Sequence, residues 1–201
     1  MLQFYPSRLL VCVSLPASEP IALADAKLYL RVSITDDDTL IAGLITAARM
    51  VAEETMRRSL ITQSWKLAYD GCLLLSPHWR LPQNYFLRTP MVVRLPRGPV
   101  NSITSITAFA QDNSSTTIDP STYTMDAAQD AVVFYMPPIA ARRVEIVYAT
   151  GYGSSGSNVP QPIIDGMLAH IGMMYDQRGE ASADLPPQSV ALFSPYRDMR
   201  L

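Results

Sequence analysis

The hydrophobic period changes twice along this chain, and that change limits its fold more than any single motif does. Apolar residues recur at helical spacing before about residue 60, alternate from about 60 to 150, and return to helical spacing beyond about 160. A chain patterned in this way is expected to be α+β, with a helical core interrupted by an inserted antiparallel β-rich region. The expected division is 1–59 with 159–201 as the helical part, and 60–152 as the β-rich lobe. With 48% hydrophobic residues over 201 positions, the chain has enough apolar side chains to fill such cores.

The first helical signal follows Ser18-Glu19-Pro20, where Leu23, Ala26, Lys27 and Leu30 recur with Asp25 in the first turn, predicting a short helix over about 22–30. Asp36-Asp37-Asp38 then reads as the N-cap of a longer helix running to about 58. Glu53 and Glu54 stand four residues before Arg57 and Arg58, the order that the helix dipole favours. On a helical wheel, Leu40, Ile41, Leu44, Ile45, Ala48, Val51, Ala52 and Met56 cover roughly half the circumference, more than a surface helix needs. Such a face serves two neighbours, either both within the fold or one of them in another subunit.

From Trp65, Leu67 and Tyr69 onward the alternation is that of half-buried strands. Further strand-like runs are expected at 91–95, 102–110, 122–125, 132–135 and 144–150, separated by turn signals such as Pro96-Arg-Gly-Pro99 and Asp119-Pro120. Pro160 and Pro162 then open a helix to about 178, with Ile163, Ile164, Met167, Leu168, Ile171, Met174 and Tyr175 on one arc. Arg178 falls inside that arc, so either it snorkels at the helix end or it pairs with an acid across an interface. The last segment, 190–201, is amphipathic and needs a surface to cover Leu192, Phe193, Tyr196 and Met199.

The residue types that carry chemistry are sparse. Cys12, Cys72, His78 and His170 are too scattered to suggest a metal centre, and neither cysteine has a histidine nearby in sequence. Both cysteines are expected to be reduced. His170, at the edge of an apolar helical arc, reads as a packed histidine. The Asp triplet lacks the Gly and terminal Glu of a calcium loop, and Glu53 and Glu54 point to different sides of their helix. Gly151-Tyr-Gly-Ser-Ser-Gly156 fits the letters of a dinucleotide fingerprint. The following helix, however, starts several residues too late to meet a pyrophosphate, and fewer than 50 residues remain for the rest of a nucleotide-binding half. No catalytic, cofactor-binding or metal-binding residues are therefore assigned.

Charge narrows the partners further. Sixteen basic and eighteen acidic residues give a net charge of −2, with no broad positive field to gather nucleic acid. Arg80, Arg88, Arg94, Arg97, Arg142 and Arg143 are dispersed among acids and read as solvated surface. The apolar run Leu9–Val13 is short and followed by Ser14, so it mimics a signal peptide only weakly and cannot span a bilayer. Export and membrane association are not expected.

The order of several sequence blocks resembles the head–tail connector, or adaptor, family of tailed phages, which also occurs in gene transfer agents. The blocks are Glu19-Pro-Ile-Ala-Leu-Ala-Asp-Ala-Lys-Leu-Tyr-Leu-Arg-Val32, the Asp-rich start and Ala-rich body of the long helix, and Leu60-Ile-Thr-Gln-Ser-Trp65. Further on come Leu95-Pro-Arg-Gly-Pro-Val-Asn-Ser-Ile-Thr-Ser-Ile106, Asp119-Pro-Ser-Thr-Tyr123, Val144-Glu-Ile-Val-Tyr-Ala-Thr-Gly-Tyr152, Tyr175-Asp-Gln-Arg178 and Ser194-Pro-Tyr-Arg197. Departures are the Ser/Gly loop after Gly153, Ala22 at a usual capping position, and an insertion around 76–85.

That resemblance implies a non-enzymatic virion protein located at the head–tail junction and present in the host cytoplasm during assembly. It implies a homo-oligomeric ring of about twelve copies built by head-to-tail contacts. The ring would bind the portal protein on one side and a tail-side stopper or tail terminator on the other, while DNA passes through its lumen without sequence-specific binding. In this reading the two main helices build the ring wall, with Leu40, Leu44, Ala48, Val51 and Arg178 at the subunit interface. The C-terminal residues Leu192, Phe193, Tyr196, Arg197 and Met199 dock on the portal, unless that segment packs on its own subunit. The rivals are a small enzyme using the Gly151–Gly156 loop for a nucleotide, and a β-rich ligand-binding module.

Overall fold

The computed structural model describes residues 7–70, 91–135, 141–177 and 185–198. The chain is α+β and divides into two compact units, Met1–Leu15 with Gln63–Thr150, and Pro16–Thr62 with Gly151–Leu201. The first is built on strands and the second on helices.

In the strand unit, a five-stranded antiparallel sheet has the order β1-β2-β8-β4-β5, formed by β1 (Ser7–Ser14), β2 (Gln63–Asp70), β8 (Arg143–Thr150), β4 (Val100–Phe109) and β5 (Ser115–Thr117). A three-stranded sheet orders β3 (Met91–Arg94), β7 (Ala131–Phe134) and β6 (Tyr123–Asp126). Strict alternation on β8 sends Val144, Ile146 and Tyr148 into one apolar core, where they meet Leu67, Ile106, Val132 and Phe134. Trp65 and Tyr69 pack against the same core, as their alternation with Leu67 predicts. Burial pushes the Tyr148 phenol pKa well above its ordinary value, and its hydroxyl donates to the Pro96 carbonyl at 3.0 Å. On the opposite face of β8, Arg143 forms a two-pronged pair with Asp70, directly across on β2, and Lys66 lies 3.3 Å from Glu145.

The strand β1 corrects the sequence reading. The run resembling a weak signal peptide pairs with β2 from Ser7↔Asp70 to Ser14↔Ser64, so the first residues cluster with the strand unit instead of the helical part. Its partner lies some fifty residues further along the chain, which is why local pattern alone did not reveal it. The short polar β5 was missed for a related reason. Ser115–Thr117 has no buried side chain and is a strand only through its pairing with β4.

The helical unit contains α1 (Leu23–Leu30), α2 (Asp38–Met56), α3 (Gln161–Asp176) and the short α4 (Pro187–Phe193). Ile41, Ile45, Ala48, Ala52 and Met56 of α2 join Ile163, Met167 and Ile171 of α3 in a second core, completed by Ala26, Leu60 and Phe193. Both α1 and α2 end in Schellman motifs, but with arginine at the left-handed position: Arg31 has φ 57° and Arg57 has φ 55°. The characteristic bonds are Val32 N to Lys27 O at 3.0 Å and Arg58 N to Glu53 O at 3.1 Å.

Two expectations about α2 change. The Asp triplet makes no side-chain cap bond; Asp37 accepts the Tyr175 hydroxyl at 2.6 Å and Asp38 pairs with Lys27 at 2.5 Å, tying the helix start to α3 and α1. The acid-before-arginine pairs across 53–58 are replaced by an Arg49–Glu53 pair, because the chain leaves the helix at Arg57.

Candidate assembly surfaces

The glycine-rich turn, Glu53 and His170, all weighed for chemistry in the sequence, have packing roles in the helical unit. In the glycine-rich turn, Tyr152 N donates to Leu60 O at 3.0 Å and Thr62 N to Gly153 O at 2.9 Å, so the turn lies against residues 60–62. Gly151 has φ +120°, and a Cβ there would sit 2.6 Å from the Ile61 carbonyl. At Gly156 a Cβ would lie 1.9 Å from Pro20 O. These glycines allow close backbone approach within the protein itself. A short 3-10 turn at Gly156–Asn158, capped by Ser155, intervenes before α3, so the helix N-terminus does not open onto the glycines.

Glu53 is likewise committed to structure. Its Oε1 accepts the Leu60 N–H at 2.8 Å, and its Oε2 lies 3.1 Å from Arg49 Nη1. Arg49 Nε donates to Glu19 at 2.8 Å. Burial opposes charge on the Arg49 guanidinium, but the two carboxylates outweigh it and the pKa rises. His170 is buried, as expected for a packed histidine, and its Nδ1 has no hydrogen-bond partner. Burial lowers its pKa below 6.5, favouring the neutral ring. Among the described residues no group of three or more His, Cys, Asp or Glu could hold a metal ion. Among the described residues no helix is long and apolar enough to cross a membrane.

The proposed interface residues on α2 separate by exposure. Leu40 is exposed and Val51 half-buried, while Leu44 packs partly against the helical core. Ala48 is fully buried within its own unit and therefore cannot meet another subunit, since α1, α3 and α4 together cover that side of α2. The broad apolar arc thus serves mainly neighbours within the fold. Arg178 and Met199 lie outside the described residues, as do Cys72, His78, Arg80 and Arg88.

The C-terminal segment is not a free extension over its described length. Phe193 is buried against α3, where a Cβ on Gly166 would meet its ring at 2.6 Å. Ser189 donates to Gly166 O at 2.7 Å, Arg58 Nε to Tyr196 O at 2.7 Å, and Asp198 N to Met56 O at 2.8 Å. Residues 185–198 therefore close the core of their own unit. Phe193 is withdrawn from any docking role, while Leu192 and Tyr196 stay half-buried and Arg197 exposed. Amphipathicity marks a segment that must be covered, and the covering surface here is intramolecular.

Two apolar surfaces were missed by sequence reasoning. On β1, Leu9, Val11 and Val13 are exposed, because Leu10 alone of this run packs on the strand core. Alternation inside the Leu9–Val13 run was the signal available, obscured because both faces are apolar. At the junction of α1 and α2, Leu28, Tyr29 and Ile34 are exposed, as is Leu40 in the first turn of α2.

No protein-family model and no curated protein sequence matches the chain. Solved structures do. A chain in the virion of a native gene transfer agent particle superposes with TM-score 0.73 at 20% identity, covering 96% of this chain and 97% of that one. Chains from the neck of the native particle, computed with C12 symmetry, and of the empty particle, computed with C6 symmetry, give 0.72 and 0.71 over the same coverage. Each of these matches spans both units of the chain.

Proposed function

We propose that this chain is a structural protein of the neck of a phage-like particle, of the gene-transfer-agent type, in which copies form a ring around the DNA passage and present a surface for the tail. One observation carries the reading: the likeness to neck and virion chains extends over 96% of the chain, at TM-scores of 0.71 to 0.73, and so includes both units. The residue-level findings support it. The glycine turn, Glu53 and His170, which would be the first suspects in an enzyme, are engaged in packing. A net charge of −2 suits a conduit, since strong phosphate binding would hold the DNA that must pass.

The ring touches the portal on the head side and a stopper or tail terminator on the tail side. The test mixes the purified protein with the portal protein of the same particle, and reads native mass spectrometry and negative-stain electron microscopy. A closed ring coaxial with the portal is the expected result. A protein that remains monomeric both alone and with the portal would overturn the reading, as would turnover of a nucleotide substrate.

A further inference from the structure

Resting on the ring reading above, we infer that the exposed face of β1 in one copy docks on the α1–α2 corner of the next copy, and that this contact propagates the ring. Identical subunits close into a ring through a heterologous contact, which needs two different patches on each copy. Eight of the twelve exposed large apolar residues among those described fall into two such patches. Leu9, Val11 and Val13 on β1, with Leu15 immediately after the strand, make up the first, 39% to 78% exposed. Leu28, Tyr29, Ile34 and Leu40 form the second, 41% to 79% exposed.

The first patch lies on an edge strand. β1 pairs with β2 on one side and, among the described residues, with no strand on the other. Edge strands of free-standing proteins are commonly blunted by charges or proline, yet the side chains alternating outward here are Leu9, Val11 and Val13. Arg8 does not protect that face, since it stacks over Tyr69 at 5.5 Å and donates to Arg94 O at 3.0 Å. An edge of this kind is a template for association, and a second copy supplies its cover.

The second patch is held rigid. Lys27 is paired with Asp38, Tyr175 is bonded to Asp37, and a Cβ on Gly172 of α3 would come within 3.3 Å of the Tyr29 ring. The ends of α1 and α3 and the start of α2 thereby converge, with Leu28, Ile34 and Leu40 left facing water. A fixed apolar corner of this size costs little ordering entropy when another surface covers it.

The two-patch geometry has a signature that a symmetric contact lacks. The test compares the unaltered protein with V13E/L15E and with L28E/I34E, all with the portal protein present and absent, by native mass spectrometry and electron microscopy. These positions are exposed, and circular dichroism together with unchanged denaturation midpoints confirms folding. The expected result is rings from the unaltered chain, none from either variant alone, and 1:1 heterodimers from their mixture, because each then retains one intact patch. Rings from either variant would overturn the inference while leaving the ring reading intact. Intact variant rings that no longer join the portal would do the same, assigning the patch to the portal instead. Absence of rings from the unaltered chain, with portal present, overturns the ring reading and the inference together.

Discussion

Replacing Arg49 by methionine tests how the helical unit is held, because it removes the guanidinium that pairs with the buried Glu53 carboxylate. Arg49 and Glu53 are 7% and 8% exposed, and Glu53 also accepts the Leu60 N–H. Removing one member of a buried ion pair costs about 3 to 5 kcal/mol. Glu19, on the other side of Arg49, is about a third exposed and recovers hydration, which places the expected loss at the lower end, about 3 kcal/mol. With a urea m-value of about 2 kcal/mol/M, the midpoint falls by about 1.5 M. The assay is urea denaturation at neutral pH followed by far-ultraviolet circular dichroism. The double variant R49M/E53Q removes the buried negative charge while keeping an acceptor for Leu60 N, so it recovers at least about 1 kcal/mol of the loss. A midpoint shift equivalent to less than about 1 kcal/mol for Arg49→Met, or a double variant weaker than the single one, would refute the argument that a buried carboxylate governs the cost.

Other expectations follow from local geometry. His170 has a lower pKa folded than unfolded, so its contribution is complete above about pH 6.5 and is lost as pH falls below it, since the unfolded chain then binds the extra proton; His170→Leu should flatten that part of the pH dependence of the urea midpoint. Gly166→Ala should cost about 1 to 3 kcal/mol by pressing on the buried Phe193 ring, and Phe193→Ala about 3 to 5 kcal/mol, both measured by thermal unfolding. Gly151→Ala should lower the melting temperature through its positive φ and its contact with Ile61, and the unaltered protein should show no thermal shift with dinucleotides; a saturable shift would favour the cofactor reading. Arg57→Gly should raise stability by up to about 1 kcal/mol by relieving the left-handed arginine, read as a higher urea midpoint.

The candidate surfaces were less legible in the sequence than the elements that carry them. Residues 190–201 read in the sequence as needing cover, and over 190–198 the structure supplies it through Gly166, Arg58 and Met56 of the same unit. Ala48 belonged to the correct apolar arc but not to any free surface. Leu9, Val11 and Val13 looked like part of a weak leader because their strand partner, β2, begins at Gln63.

Periodicity is a local property, imposed by the rotation per residue of helix and strand, so the α+β character, α1 to α3 and the strands β2, β3, β4, β6, β7 and β8 could be read from the order of residues alone. Which apolar stripe meets the core and which meets water depends on surfaces brought together from distant parts of the chain. Burial is a property of pairs of surfaces, and no single segment contains its own partner. The pairing of β1, the closure of the C-terminal segment on α3, and the two uncovered patches were therefore decided only when the chain packed.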